Sequence, residues 1–382
     1  MTVSAVRDRA GEPRSKDHEG IEAVRQAYYE RISTFDIAPL WEVLRNLVPP
    51  QPTSVCAPAI WHFKDVKPLV VEAGTLITAK EAERRVLVLE NPALRGKSRI
   101  TQTLFAGLQL ILPGEVAPAH RHTASAIRFV LDGEGAYTAV EGERTIMRRG
   151  DFVITANWAG HDHGNTSNSP MIWLDVLDLP TINFFEAAFS ESLTDEVQKT
   201  AREDGDSLLR YGSGVLPDGA PENPWRTPII NYPYARTRPV LDRLRLAGDV
   251  DPWLGACVRY ANPLNGGWAM PTMGAQLRLL PRGFKGRDYR STDGTIFVGV
   301  EGEGMTTIDG VRFDWSPGDV FVVPPWTRYA HAAPVDAVLF SVSDRPAQEA
   351  LGIWRGRRAR STSACHDANA GSRCGRPVAH DA

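Results

Sequence analysis

The chain has 382 residues, of which 42% are hydrophobic and 23% charged, with a formal net charge of -3. That length supports two or three packed domains, and the composition is too apolar for a disordered polymer. Near-neutral charge gives no global field for nucleic acid or a membrane surface, no apolar run is long enough to span a bilayer, and four scattered cysteines make no disulfide framework.

The first twenty residues, MTVSAVRDRAGEPRSKDHEG, are polar and charged and lack the apolar core of a secretory leader, so a cytoplasmic protein with reduced thiols is expected. Ile21, Val24, Ala27, Tyr28 and Ile32 then recur at helical spacing and predict an amphipathic helix. IAPLWEVLRNLV predicts a second helix that stops at Pro49-Pro50, and AKEAERRVLVLENP mixes helix formers with a β-branched run before Pro92. Residues 1–98 are therefore expected to be an α-rich N-terminal region.

From Ile100 the texture changes to short apolar or alternating segments (IRFVLDGEG, AYTAVEGE, GDFVITA, MIWLDVL) separated by Gly, Pro, Asp and Asn, which predicts a β-barrel or sandwich over 99–200. A polar stretch ending in DSLLRYG and a Pro/Gly/Asn-rich connection predict a linker with a short helix over 201–258. A second β block follows within 259–354. The remainder, 355–382, is rich in Arg, Ser, Gly and Ala without apolar periodicity and is expected to be a disordered tail. Its basic run suits a solvated tail better than a nucleic-acid or lipid contact.

The two β blocks repeat one another. Gly133-Glu-Gly135, Gly142 and Gly150-Asp151 in the first are matched in register by Gly302-Glu-Gly304, Gly310 and Gly318-Asp319 in the second. Three landmarks in step argue for a duplicated β-domain.

Four of the nine histidines fall in two pairs, His120-Arg-His122 and His161-Asp-His163. A spacing of two on a strand puts both side chains on one face, about 7 Å apart. Ala126 and Arg128 share that face if the strand is unbroken, and Ile127, Phe129 and Leu131 point away. A guanidinium inside an apolar barrel needs an anion. Metal binding explains this pattern better than four separately satisfied histidines do.

Gly114-x5-His120-x-His122, Gly133 and Gly150-x10-His161-x3-Asn165 resemble the two cupin motifs, so the fold expected is mainly β, a bicupin of two jelly-roll barrels with an α-rich N-terminal region. The carboxylate that cupins usually carry a few residues after the second histidine is missing from Thr123-Ala124-Ser125-Ala126-Ile127. Three imidazoles without a carboxylate suit iron(II) among borderline metals, and zinc would fit them too. The longer words ERRVLVLENPALRG, LFAGLQLILPGEVAPAHRHTASAIRFVLDGEG and GDFVITANWAGHDHGNTSNSPMIWLDVLDLP resemble the gentisate 1,2-dioxygenase family, which includes salicylate and 1-hydroxy-2-naphthoate dioxygenases, over about residues 20–354.

The resemblance implies a ring-cleaving dioxygenase acting on an aromatic hydroxy-acid with O2, with Fe(II) held by His120, His122 and His161. It implies that Arg128 holds the substrate carboxylate, that His163 is an acid/base near the ring hydroxyl, and that Asp175 orients His163. Gln109 and Phe105 resemble ring-lining positions, and Arg84 or Arg85 a further anion-binding arginine. A homo-oligomer, commonly a tetramer, is also implied. In the second barrel Tyr289, Ser291 and Tyr329 stand where the ligands would be and His331 matches His163, so that barrel is expected to be metal-free. The rival classes are an aromatic-acid-binding bicupin without turnover and manganese chemistry on oxalate. The former need not keep Arg128 or His163, and the latter is disfavoured by the missing carboxylate.

Overall fold

The computed structural model describes residues 16–220 and 225–359. The chain divides between Thr53 and Ser54 into two compact units. The first holds helices α1 (Lys16–Ser33) and α2 (Leu40–Leu47), joined where Trp41 Nε1 donates to Tyr29 Oη at 2.7 Å and Tyr29 Oη donates to Glu42 at 2.6 Å. Both helices fall where the apolar spacing predicts them.

In the second unit, β1 (Ala59–Trp61), α3 (Phe63–Leu76), α4 (Ala79–Ala82) and β2 (Val86–Val88) precede eight strands: β3 (Phe105–Ile111), β4 (Val116–His122), β5 (Ala126–Asp132), β6 (Ala136–Val140), β7 (Glu143–Ile146), β8 (Phe152–Thr155), β9 (His161–Asn165) and β10 (Met171–Leu177). Then come α5 (Leu179–Phe184), β11 (Ser190–Ser192), α6 (Asp206–Tyr211), β12 (Asn231–Tyr232), α7 (Tyr234–Ala247) and β13 (Ala256–Arg259). The second set is β14 (Gly274–Leu280), β15 (Phe284–Lys285), β16 (Tyr289–Ser291), β17 (Thr295–Glu301), β18 (Gly304–Ile308), β19 (Val311–Trp315), β20 (Val320–Val323), β21 (Tyr329–Ala333) and β22 (Ala337–Ser343), closed by α8 (Arg345–Ala350) and β23 (Gly356–Arg358).

Each barrel is two facing sheets. In the first, β12-β8-β5-β10-β3-β2 faces β11-β4-β9-β6-β7; in the second, β1-β20-β17-β22-β14-β13 faces β19-β18-β21-β16-β23. The orders match except that β15, which pairs with β21, has no separate counterpart in the first barrel, so the duplication is real and larger than the glycine landmarks suggest. It begins at β1–α3 in one copy and β12–α7 in the other, and both helices carry a proline five residues after an aromatic first residue, Phe63…Pro68 and Tyr234…Pro239.

The copies exchange their first strands. β1, at the start of the first copy, pairs with β20 of the second barrel, and β12 pairs with β8 of the first. The Gly-Asp landmark makes this exchange possible. Asp319 accepts from Phe63 N at 2.7 Å and Asp151 from Tyr234 N at 2.9 Å, each satisfying an unpaired N–H at the start of the exchanged helix. Gly150 and Gly318 hold positive φ, and a Cβ on either would come within 2.7 Å of the Tyr234 or Phe63 ring.

Three expectations about boundaries change. β1 and β2, within the expected N-terminal region, are barrel strands; for β2 the reason is that the segment TAKEAERRVLVLE yields one helical turn capped by Thr78 and then a strand. The stretch read as linker contains a barrel strand and the 14-residue helix α7. The expected tail starts late: residues 356–358 form β23 on the second barrel, and the rest of that tail, 360–382, lies outside the described residues.

One apolar core joins the barrels. Ile127, Phe129, Leu131 and Phe152 pack with Tyr260, Val298, Phe340 and Val342, and Phe129 stacks on Phe340 with ring centroids 4.0 Å apart. The outward residues of β5 are therefore the interbarrel core, as the alternation requires, and the inward ones are left to line the barrel.

Candidate metal centre and active site

β4 and β9 pair with His120 directly opposite His161, and His122 closes β4 on the same face. The three rings lie 4.4–5.2 Å apart by centroid, and the nearest ligand atoms all fall within 4.8 Å of one another. Each Nδ1 faces a backbone carbonyl: His120 to Pro118 at 3.3 Å, His122 to Ala124 at 2.7 Å and His161 to Ala159 at 2.9 Å. For His122 and His161 an Nδ1–H committed to a carbonyl leaves Nε2 as a lone pair, the tautomer a metal requires, whereas His120 Nδ1 also meets the donor-only guanidinium of Arg84, so the Pro118 carbonyl does not by itself set the His120 tautomer. Burial and the nearby arginines hold all three imidazoles below their usual range, His120 down to about 3, so they are neutral at physiological pH. The residues therefore fit a metal ion.

The expected unbroken strand from His122 to Arg128 does not exist. β4 ends at His122 and β5 starts at Ala126 in the facing sheet, so the histidines and Arg128 meet across the barrel interior. They open on one cavity of about 370 Å³, lined by His120, His122, His161, Arg128, Asp175, Arg84, Gln109 and Phe105 together with Val86, Val88, Ala126 and Leu177. Eight of the nine expected site residues thus meet there. The ninth, His163, is fully buried behind His161, its ring 5.6 Å away.

Asp175 does not orient His163. β10 and β5 place it opposite Arg128, and its Oδ1 lies 3.3 Å from Arg128 Nε. Arg128 Nη1 donates to Thr155 at 2.7 Å, while the Asp175 contact is an ion pair without hydrogen-bond geometry, so one hydrogen bond holds the guanidinium and its other N–H groups are to spare. Burial lifts the Asp175 carboxyl to about 6 even though Arg128 opposes the rise, and the same burial lowers Arg128.

His163 is held by Thr138 instead, Nδ1 to Oγ1 at 2.9 Å. The Thr138 hydroxyl proton points to Met147 Sδ, so Thr138 accepts from His163 Nδ1–H. His163 Nε2 is left as a buried lone pair without a partner. Thr138 escaped the sequence reading although the repeat marks it: Thr306 and His331 form the same pair at 2.8 Å in the second barrel.

Arg84 and Arg85 divide their labour. Arg85 pairs with Glu115 and donates to Ile77 O at 2.9 Å, away from the cavity, whereas Arg84 lines it, donating to Pro118 O at 2.9 Å and touching His120 Nδ1. Burial, with Arg128 close by, lowers Arg84 to about 10. Val86 and Val88 were also missed as lining residues; their β-branched run was the available signal, and pairing with Gln109 and Gly107 carries them to the cavity.

Two jelly-roll barrels sharing one core, with one three-histidine centre among the described residues and a buried arginine opposite it, define a bicupin of the metal-dependent kind. A cupin-domain model matches residues 107–177 and 276–343. The chain is 53% identical over 334 residues to gentisate 1,2-dioxygenase 1 of Aquipseudomonas alcaligenes, covering 87% of this chain and 96% of that protein. It is 35% identical to 5-aminosalicylate 1,2-dioxygenase of Comamonas sp over 86% of this chain and 89% of that one. The crystal structure of salicylate 1,2-dioxygenase from Pseudoaminobacter salicylatoxidans as an adduct with gentisate superposes with a TM-score of 0.83 at 33% identity, covering 90% of this chain and 95% of that one. The chain belongs to the gentisate 1,2-dioxygenase family of bicupin ring-cleaving dioxygenases.

Proposed function

We propose that the protein opens gentisate (2,5-dihydroxybenzoate) between its carboxyl-bearing and adjacent hydroxyl-bearing carbons, adding both atoms of O2 to give maleylpyruvate. The observation that carries this reading is the convergence of three histidines, with ligand atoms within 4.8 Å of one another, on a cavity whose opposite wall is a buried arginine. Iron(II) held by His120, His122 and His161 would supply open coordination positions and redox chemistry for O2. Arg128, set by Asp175 and Thr155, binds the substrate carboxylate with its remaining N–H groups. Arg84 adds a second positive charge on the histidine side. His163, its tautomer set by Thr138, lies behind His161 and outside the cavity lining, so its Nε2 would receive the proton of a ring hydroxyl through a bridging water and not by direct contact. Phe105, Gln109, Val86, Val88 and Leu177 bound the ring and exclude water.

Gentisate is favoured by the 53% identical relative; salicylate and 1-hydroxy-2-naphthoate are the alternative substrates, the first supported by the salicylate dioxygenase structure. Exposed apolar side chains on α1 and α2 (Ile21, Val24, Leu40, Leu44) support a homo-oligomer, a tetramer by family resemblance. No described helix is long and apolar enough to cross a membrane, in keeping with a cytoplasmic enzyme.

The test is oxygen uptake by protein loaded anaerobically with iron(II), on adding gentisate, salicylate and 1-hydroxy-2-naphthoate in turn, with the product identified by mass. One O2 consumed per gentisate, both atoms appearing in an acyclic acid, is the expected result. Uptake with salicylate but none with gentisate would transfer the assignment to the alternative, and no uptake with any of the three despite bound iron would leave a binding protein.

A further inference from the structure

The second barrel has no metal ligands, yet its rim is not inert. A cavity of about 250 Å³ opens beside Tyr289, the residue at the place of His120, and four arginines surround it: Arg290, Arg328, Arg357 and Arg358. Asp288 is the one carboxylate in its lining. Arg358 is paired with Asp251 at 3.1 Å; among the described residues the other three arginines have no carboxylate partner. At least two positive charges therefore remain unanswered.

The strand register aggravates this. β16 and β23 pair with Arg290 directly opposite Arg357, a placement that brings like charges within about 5 Å at Cβ and destabilises an isolated sheet. Both guanidiniums lie near the same indole, Arg290 at 4.6 Å and the exposed Arg357 at 5.6 Å from the Trp326 ring, so one aromatic ring gathers both charges at the rim. Trp326 itself takes a left-handed backbone conformation, φ 61°, as a non-glycine. Behind the rim, buried Arg278 has Nε and Nη1 without a partner, lies over Phe297, and acts electrostatically on Tyr289 and Tyr329.

We propose that this rim binds a small organic or inorganic dianion, a dicarboxylate or a phosphate, held by Arg290, Arg328 and Arg357. Planar guanidinium forks suit both groups, and a dianion matches the excess charge. The basic run RGRRA, unexplained by the dioxygenase chemistry, is then the strand that completes an anion site.

The experiment is calorimetric titration of the iron-loaded full chain with maleate, inorganic phosphate and, as the monoanion control, acetate at constant ionic strength, repeated on the Arg290→Gln, Arg357→Gln double variant and on Arg328→Gln alone. Saturable binding of one maleate or phosphate per chain, at least tenfold tighter than acetate and weakened at least tenfold in both variants with gentisate turnover unchanged, is the expected result. The better of the two dianions identifies the ligand chemistry. Binding that acetate matches, or that both variants retain in full, would overturn the site, since the latter places the anion in the first barrel. A melting curve without added dianion gives a separate reading: relief of the cross-strand repulsion leaves Arg357→Gln at least as heat-stable as the parent, and phosphate raises the midpoint of the parent alone. A phosphate-induced rise of equal size in Arg357→Gln would count against the proposal.

Discussion

At the scale of single residues, the histidines and Arg128 have separable jobs. His120→Ala removes one of the three proposed ligands, so iron content and activity are expected to fall together; full iron occupancy in that variant, measured by metal analysis, would remove His120 from the ligand set. Arg128→Gln should retain iron, because Arg128 touches no ligand, while kcat/KM falls by about 2–3 kcal/mol, on the order of a hundredfold. Thr138→Val tests the tautomer argument. Without the oxygen that accepts from Nδ1–H, His163 is free to place its proton on Nε2, and kcat should fall more than KM rises, with the acid limb of the pH–rate profile displaced. His331 keeps the same threonine partner in a barrel without metal ligands, so the His–Thr pair is in the first place a packing unit of the repeat.

At the scale of elements, the exchanged strands depend on two aspartates, and a second pair of carboxylates anchors the helices that follow each barrel. Asp178 accepts from Ser125 N at 2.7 Å and from Thr272 Oγ1 at 2.5 Å; Asp344, its counterpart, accepts from Gly294 N at 2.9 Å. Burial lifts both carboxyls to about 6. Against an unfolded value near ~3.9 the folded state holds these protons more tightly, so their contribution is fully present below about pH 4 and is lost as the pH rises through about 6. Chemical denaturation at pH 4.5 and pH 7 should therefore show the parent losing on the order of 2 kcal/mol relative to Asp178→Asn over that interval. An equal pH dependence in the two proteins would show that Asp178 is ionised throughout. Asp319→Ala should cost about 1–2 kcal/mol through the lost N–H partner of Phe63, read as a lower melting temperature.

At the scale of the whole molecule, strand exchange and a shared core tie the two barrels into one folding unit. Phe340 belongs to the second barrel and stacks on Phe129 of the first, so Phe340→Ala is expected to destabilise both by about 3–5 kcal/mol and to lower iron retention in a barrel it does not belong to. Calorimetry should find a single transition for residues 54–359; two separated transitions would mean that the barrels fold independently.

Much of this was legible in the residues themselves. The period of two put His120, His122, Ala126 and Arg128 on inward positions and Ile127, Phe129 and Leu131 on outward ones, and alternation holds whichever sheet a strand joins. The clustering of His120, His122 and His161, the Tyr289, Ser291 and Tyr329 that stand at the matching positions of the second repeat, and the helices at 16–33 and 40–47 depend on local pattern and spacing alone. What tertiary structure decided were the partners of the buried polar groups. Asp175 serves Arg128 because the β5–β10 register sets them opposite, Arg84 and not Arg85 reaches the cavity because a turn after a short capped helix reverses the side, and β1 belongs to the other barrel because Asp319 and Gly318 receive its helix from a distance of more than 250 residues in the chain. A sequence pattern states which face a side chain takes; which neighbour meets it there is set by long-range pairing and by the requirement that every buried donor and acceptor be matched, and both of those exist only once the chain is folded.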